Sequence, residues 1–185
     1  METKGKITKY KVPISRRIAF CAVFTSLALV LSILENYFPI GLLIPVPGIK
    51  LGLANIITVF AIVTLAPLDT IIIIVIRCLI MGLITGPVAF LFSITGALLA
   101  FIVMLILVKG LGGVFSVVGI SMGGAVAHNI GQIAAAVFLM KDMGLIFSYL
   151  PFLMLIALFT GALTGFAAIP VIKNTGKTFR KMDAR

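Results

Sequence analysis

Acidic side chains are scarce in this chain, which contains only five aspartate and glutamate residues among 185. Tryptophan is absent, histidine occurs once and cysteine occurs twice. A single histidine excludes a multi-histidine metal site, and two cysteines without a CxxC spacing provide neither a metal site nor a disulfide framework. The sequence also lacks nucleotide-binding, zinc-protease and serine-hydrolase motifs, and an aspartate-rich motif for magnesium diphosphate. We therefore expect no self-contained enzyme, and no cofactor is predicted.

Apolar residues dominate what is present, at 62% hydrophobic against 11% charged. Six long apolar runs fill the chain, and a helix of about 20 apolar residues crosses the roughly 30 Å hydrocarbon core of a bilayer. Backbone polar groups in lipid must be hydrogen-bonded internally, so the runs are predicted to be transmembrane helices. The sequence thus predicts one all-α integral-membrane domain over residues 1–185, a polytopic six-helix bundle. The predicted helices are Ile18–Leu34, Leu51–Ala66, Leu68–Thr85, Ala89–Val108, Val114–Met140 and Leu145–Ile172.

Basic residues gather at the two ends of the chain. Of the fifteen lysine and arginine residues, six lie in the tail 1–17 and five in the tail 173–185. An even number of spans returns the C-terminus to the starting side, and the positive-inside rule then places both tails in the cytoplasm. Basic tails beside a membrane attract anionic lipid headgroups, which explains the net charge of +10 without nucleic acid. The prediction is a multi-pass protein of the cell membrane that contacts lipid and binds no nucleic acid.

Three strongly polar residues, His128, Asn129 and Gln132, interrupt the fifth apolar run. On a helix they occupy an arc of about 100°, so they form one polar stripe. One interpretation is an interhelical contact in which amide side chains join neighbouring helices. The other, which we favour, is the lining of a ligand site, because three adjacent hydrogen-bonding side chains exceed what packing requires.

Arg77 lies near the middle of the third run. A guanidinium at this depth needs a carboxylate, carbonyl groups, water or an anionic ligand, because its charge is costly in hydrocarbon. Glu35 and Asp69 are the nearby acidic residues in sequence, and both sit near the ends of predicted spans. Arg77 is therefore either a residue that binds an anionic ligand or a member of a structural ion pair, and the sequence favours neither role.

The first and second predicted helices are joined by a proline-rich segment, residues 36–50, that is largely apolar. It is either a cap over the outer mouth of the bundle or an ordinary interfacial loop. Lys50 ends this segment, and Asn55 gives the second helix a polar edge. A ligand beneath the segment would lie in the outer half of the bundle, with Asn55, Lys50 and Arg77 as candidates beside the stripe.

Two motifs carry a resemblance to a known family: Pro-Gly-Ile-Lys-Leu-Gly-Leu-Ala-Asn-Ile at 47–56 and Ala-His-Asn-Ile-Gly-Gln at 127–132. Nearly the whole chain resembles the Gx transporter family, whose members are often labelled heptaprenyl diphosphate synthase component I. That family is similar to the S components of energy-coupling factor transporters. The resemblance implies a six-helix subunit that captures a small molecule outside and joins a shared membrane subunit and two ATPases.

S components commonly dock on the shared subunit through small residues of their first helix. Ala19, Ala22 and Ser26 step along the first helix here and are the predicted docking residues. The family label implies an alternative, a non-catalytic membrane subunit associated with heptaprenyl diphosphate synthesis or a quinone or redox assembly. A lone secondary carrier is disfavoured because no aspartate or glutamate lies in the middle of a span.

Overall fold

The computed structural model describes residues 13–37, 53–111 and 114–183. In this part of the chain, five helices are long and apolar enough to cross a membrane, and a sixth apolar helix is shorter. Large apolar side chains cover the outside of the bundle, where lipid would surround it. This confirms the predicted all-α polytopic membrane bundle. The helices are α1 (Ile14–Asn36), α2 (Asn55–Thr64), α3 (Pro67–Thr85), α4 (Pro87–Gly110), α5 (Val117–Met140) and α6 (Gly144–Asp183).

Local sequence sets the helix starts and the tight turns between them. Proline occupies the first position of α3 and of α4, where a missing N–H costs nothing. Gly86 alone joins these two helices with a φ of 99°, a left-handed conformation that favours glycine. Ser116 caps α5, and its side-chain oxygen accepts a hydrogen bond from the Gly119 N–H at 3.2 Å. The α3–α4 pair is therefore forced into an antiparallel hairpin.

Contacts between the first three helices fix their relative directions. Arg17 and Asp69, near the starts of α1 and α3, form an ion pair with an Nη2–Oδ1 distance of 2.7 Å. At the other end of α1, Glu35 accepts a hydrogen bond at 3.4 Å from the N–H of Leu53, just before α2. Thus α1 and α3 run in the same direction, and the chain returns through α2 between them.

Close contacts at glycine hold α4, α5 and α6 together as antiparallel neighbours. A Cβ atom at Gly131 of α5 would lie 2.7 Å from the carbonyl oxygen of Thr95 on α4. One at Gly161 or Gly165 of α6 would lie 2.7 Å from a Cα atom of α5, that of Met122 or Val118 respectively. These distances leave no room for a side chain, so the small residues let the helices approach closely.

The short helix α2 lies at the centre of the bundle and contacts each of the other five helices. Its residues Val59, Phe60 and Ala61 are fully buried. Phe60 packs against Phe24 of α1 with ring centroids 4.5 Å apart. The arrangement leaves α1 at the periphery, where it packs against α2 and α3.

The predicted bounds of two helices were wrong. The second helix, predicted to end at Ala66, ends at Thr64, because Ala66 precedes a proline and is extended, with ψ of 149°. The fifth helix starts at Val117 instead of Val114, since Ser116 caps it.

Two helices also reach further into the polar tails than hydrophobicity indicated. The first begins at Ile14, within the predicted tail 1–17, and the sixth continues from the apolar run to Asp183. Helical hydrogen bonding does not require apolar side chains, so the helix persists beyond the apolar run.

Candidate functional site

The polar stripe of α5 is buried inside the bundle. His128, Asn129 and Gln132 are each less than 5% exposed. His128 and Gln132 lie against Gly96 of α4, where a Cβ atom would meet the His128 ring at 2.9 Å and Gln132 Cγ at 3.0 Å. The glycine therefore gives these two long polar side chains their space between α4 and α5.

Asn129 points to a different neighbour. Its Nδ2 donates a hydrogen bond to the backbone carbonyl of Leu153 on α6 at 3.0 Å. Its Oδ1 is also buried and has no hydrogen-bond partner among the described residues. The Nδ2 bond is of the interhelical kind, so at this residue the stripe joins two helices. The stripe as a whole divides between the α4 side and the α6 side of α5.

Arg77 is 6% exposed, and its guanidinium bonds to neutral groups within the described part of the chain. Nη1 donates to the Ser32 hydroxyl of α1 at 3.1 Å, and Nη2 donates to the Cys78 thiol at 3.4 Å. Of the two acidic residues near Arg77 in sequence, Asp69 lies in the first turn of α3 and pairs with Arg17. Glu35 is buried at the junction of α1 and α2, where it bonds to the N–H of Leu53.

Ser32 was missed by the sequence reasoning. Ser32 is 1% exposed, and its hydroxyl accepts the hydrogen bond that joins Arg77 to α1. The available signal was its spacing, because Ser32 and Glu35 lie one turn apart on the same face of α1. That signal is weak, since a serine in an apolar helix commonly bonds to its own backbone.

Asn55, the first residue of α2, is the most completely buried amide without a described partner. It is 1% exposed, and both Nδ2 and Oδ1 lack a hydrogen-bond partner among the described residues. Asn55 begins α2, the helix that contacts each of the other five. Lys50 and nearly all of the predicted cap lie outside the described residues.

The predicted site residues in the described part of the chain are thus buried amides, an imidazole and a guanidinium. They lie at the α4–α5, α5–α6 and α1–α3 contacts and at the start of α2. Such groups bind by hydrogen bonding and charge, and both are strong where water is excluded. No group of three or more histidine, cysteine, aspartate or glutamate side chains that could hold a metal occurs in the residues that the structure describes.

The predicted docking residues lie on the outer side of α1. Ala19, Ala22 and Ser26 are all exposed, on a helix whose other side packs against α2 and α3. The Ser26 hydroxyl donates to the carbonyl of Ala22 at 2.9 Å, so it is satisfied within its own helix. The three positions are therefore at the surface of the described bundle.

Comparison with known proteins gives one match. A family model described as heptaprenyl diphosphate synthase component I matches residues 24–170, which include all six helices in whole or in part. No curated protein and no solved structure matches the chain.

Proposed function

This chain belongs to the heptaprenyl diphosphate synthase component I family, and from that premise we propose that it is the substrate-binding membrane subunit of a transporter. In this role it captures a small molecule within the helix bundle. Partner subunits, an energy-coupling membrane protein and ATPases, drive uptake, as in the S components that the family resembles. The chain itself has no catalytic role in this proposal.

The buried amide of Asn55, which has no hydrogen-bond partner among the described residues, is the observation that carries the proposal. An unsatisfied polar group inside a protein costs about 1–3 kcal/mol, and a membrane interior offers few substitutes for a missing partner. Polar residues within membrane spans are therefore functional candidates by default. Asn55 and the buried Arg77 supply donors and an acceptor that a bound ligand would satisfy.

The distribution of charge supports an orientation. Arg16 and Arg17 at the start of α1, Lys109 at the end of α4 and Lys173 in α6 all belong to one end of the bundle. If the protein lies in the cell membrane, the positive-inside rule places this end of the bundle on the cytoplasmic side. Because α2 starts at the opposite end, Asn55 lies toward the outside, where a capture subunit meets its ligand.

The outer face of α1 supports docking to a membrane partner. Small side chains at Ala19, Ala22 and Ser26 permit close backbone approach, which is the usual means of helix association in lipid. Energy must then come from the partners, since the sequence contains no nucleotide-binding motif.

The family description favours a second candidate. In this role the chain is a non-catalytic membrane subunit that assists heptaprenyl diphosphate synthesis, and its buried polar groups bind a prenyl substrate or product. The two candidates differ in a simple requirement. The transporter subunit needs ATPases to move its ligand, whereas the synthase subunit changes the activity of a soluble prenyl transferase.

The test is native mass spectrometry of the protein purified without added ligand. We expect a retained small molecule in the wild type, loss of that molecule in Asn55→Ala, and retention in the control Thr85→Ala. Thr85 is a suitable control because its exposed hydroxyl bonds to the carbonyl of Met81 in its own helix.

Transport assays with the identified molecule then separate the candidates. Vesicles containing the protein alone should not accumulate it under a proton gradient, and addition of the coupling subunit and ATPases should restore uptake. Accumulation by the protein alone would refute the proposal in favour of a secondary carrier. Stimulation of a prenyl transferase, without ATP-dependent uptake, would favour the second candidate.

A further inference from the structure

The guanidinium of Arg77 is a buried positive charge with an incomplete set of described partners. A guanidinium has five N–H donors, and the described bonds use two of them, one to the Ser32 hydroxyl and one to the Cys78 thiol. Both acceptors are neutral, so they do not balance the charge. An arginine near the middle of a membrane helix is retained at a cost that a bound anion would offset.

We propose that Arg77 and Ser32 form the subsite for a single carboxylate of the bound molecule, an inference that rests on the proposed transporter function. The planar fork of a guanidinium matches the two oxygens of a carboxylate. Ser32 holds Nη1 from the α1 side at 3.1 Å and so fixes the orientation of the fork. Asn55 contacts a neutral polar part of the same molecule.

The charge of the site favours a monoanion over a diphosphate. One guanidinium balances one negative charge, whereas a diphosphate carries two or more and is usually bound with magnesium. Within the residues that the structure describes, there is no acidic cluster to hold such an ion. The subsite therefore selects an organic acid and disfavours a prenyl diphosphate.

A structural explanation competes with this proposal. Glu35 is buried one turn along α1 from Ser32, the residue that bonds to Arg77, so a carboxylate lies on the same face of α1. If Glu35 is the counter-charge, then the two residues stabilise each other in the protein without ligand. Removal of both would then cost less than the sum of the two single changes.

The first experiment uses simple anions as probes of the subsite. Acetate and formate, each compared with chloride at equal ionic strength, should raise the melting temperature of the ligand-free wild type by about 3–6 °C at concentrations near tenfold above their Kd. Arg77→Lys keeps the charge but loses the fork, so it should lose this stabilisation. Pyrophosphate should have no greater effect than chloride.

The second experiment is a double-mutant cycle on the ligand-free protein. Glu35→Gln and Arg77→Gln should change the melting temperature additively. The proposal is overturned if acetate and chloride act alike on the wild type, if Arg77→Lys responds to acetate as the wild type does, or if the cycle shows strong coupling. The wild-type titration remains decisive if an Arg77 variant does not fold.

Failure of this inference leaves the proposed function separately testable. A wild type that ignores acetate but retains a small molecule that Asn55→Ala loses would refute the carboxylate subsite and keep the binding function. The proposed function itself would instead be refuted if the wild type retained no small molecule and uptake into vesicles did not depend on ATP.

Discussion

Replacement of Asn55 by alanine tests whether this amide serves the ligand or the fold. The change removes a buried polar group whose two side-chain atoms have no hydrogen-bond partner among the described residues. Relief of that burial is worth about 1–3 kcal/mol in the ligand-free protein. The smaller side chain leaves a space of about 40 Å³, which costs about 1 kcal/mol. We expect the free energy of unfolding to stay constant or to rise by up to about 2 kcal/mol.

The matched variant is Asn129→Ala, which removes a similar amide that already has a partner. Its Nδ2 bonds to the carbonyl of Leu153, and such a bond between membrane helices is worth about 0.6–1.5 kcal/mol. With the same cost of about 1 kcal/mol for the space, less the relief of the one unpaired atom, Oδ1, the free energy of unfolding should fall by up to about 2 kcal/mol. The two variants therefore change stability in different directions although the substitution is the same.

The assay combines unfolding of the ligand-free protein in detergent with ligand binding on the same purified samples. Loss of the Asn55 bonds to a ligand in a dry site should weaken affinity by about 5- to 150-fold, which corresponds to about 1–3 kcal/mol. One net hydrogen bond contributes about 1 kcal/mol to stability. The reasoning is refuted if Asn55→Ala lowers the free energy of unfolding by about that amount or more and leaves the ligand affinity unchanged.

Three other predictions concern packing, topology and docking. Gly131→Ala should destabilise the protein by about 1–3 kcal/mol in thermal unfolding because its Cβ meets the backbone of α4, whereas Gly110→Ala, whose Cβ meets nothing nearer than 4.0 Å, should change stability little; equal effects would contradict the close α4–α5 contact. A reporter fused after Arg185 should be active in the cytoplasm, and one inserted at Lys141 only outside; the reverse pattern would invert the orientation. Ala22→Leu should reduce co-purification of the coupling subunit and leave the melting temperature unchanged, and a lower melting temperature would instead place Ala22 inside the bundle.

The long helices could be predicted from the sequence because hydrocarbon imposes a strong and simple demand. The third helix was predicted as Leu68–Thr85 and is Pro67–Thr85. The second was predicted too long, since hydrophobicity continues through Leu65 and Ala66 while the following proline ends the helix. Hydropathy reports where a chain prefers to lie, and local backbone sterics decide where its helices stop.

The candidate site was less predictable because its contacts join distant residues. Helical periodicity indicated that the α5 stripe shares an arc, and all three residues are buried. It did not indicate that Asn129 faces α6 while His128 and Gln132 face α4. The contact between Arg77 and Ser32 spans 45 residues, so it depends on the packing of α1 against α3 and not on a local pattern.

During biosynthesis, α2 cannot be retained in a bilayer by its own hydrophobicity. Its ten residues rise by about 15 Å, roughly half of the hydrocarbon thickness. Yet it contacts every other helix, including α6, which is made last. We therefore expect the position of α2 in the membrane to depend on the helices that surround it. A chain halted before α6 would lack one of these contacts, and we expect it to be a target for membrane quality control.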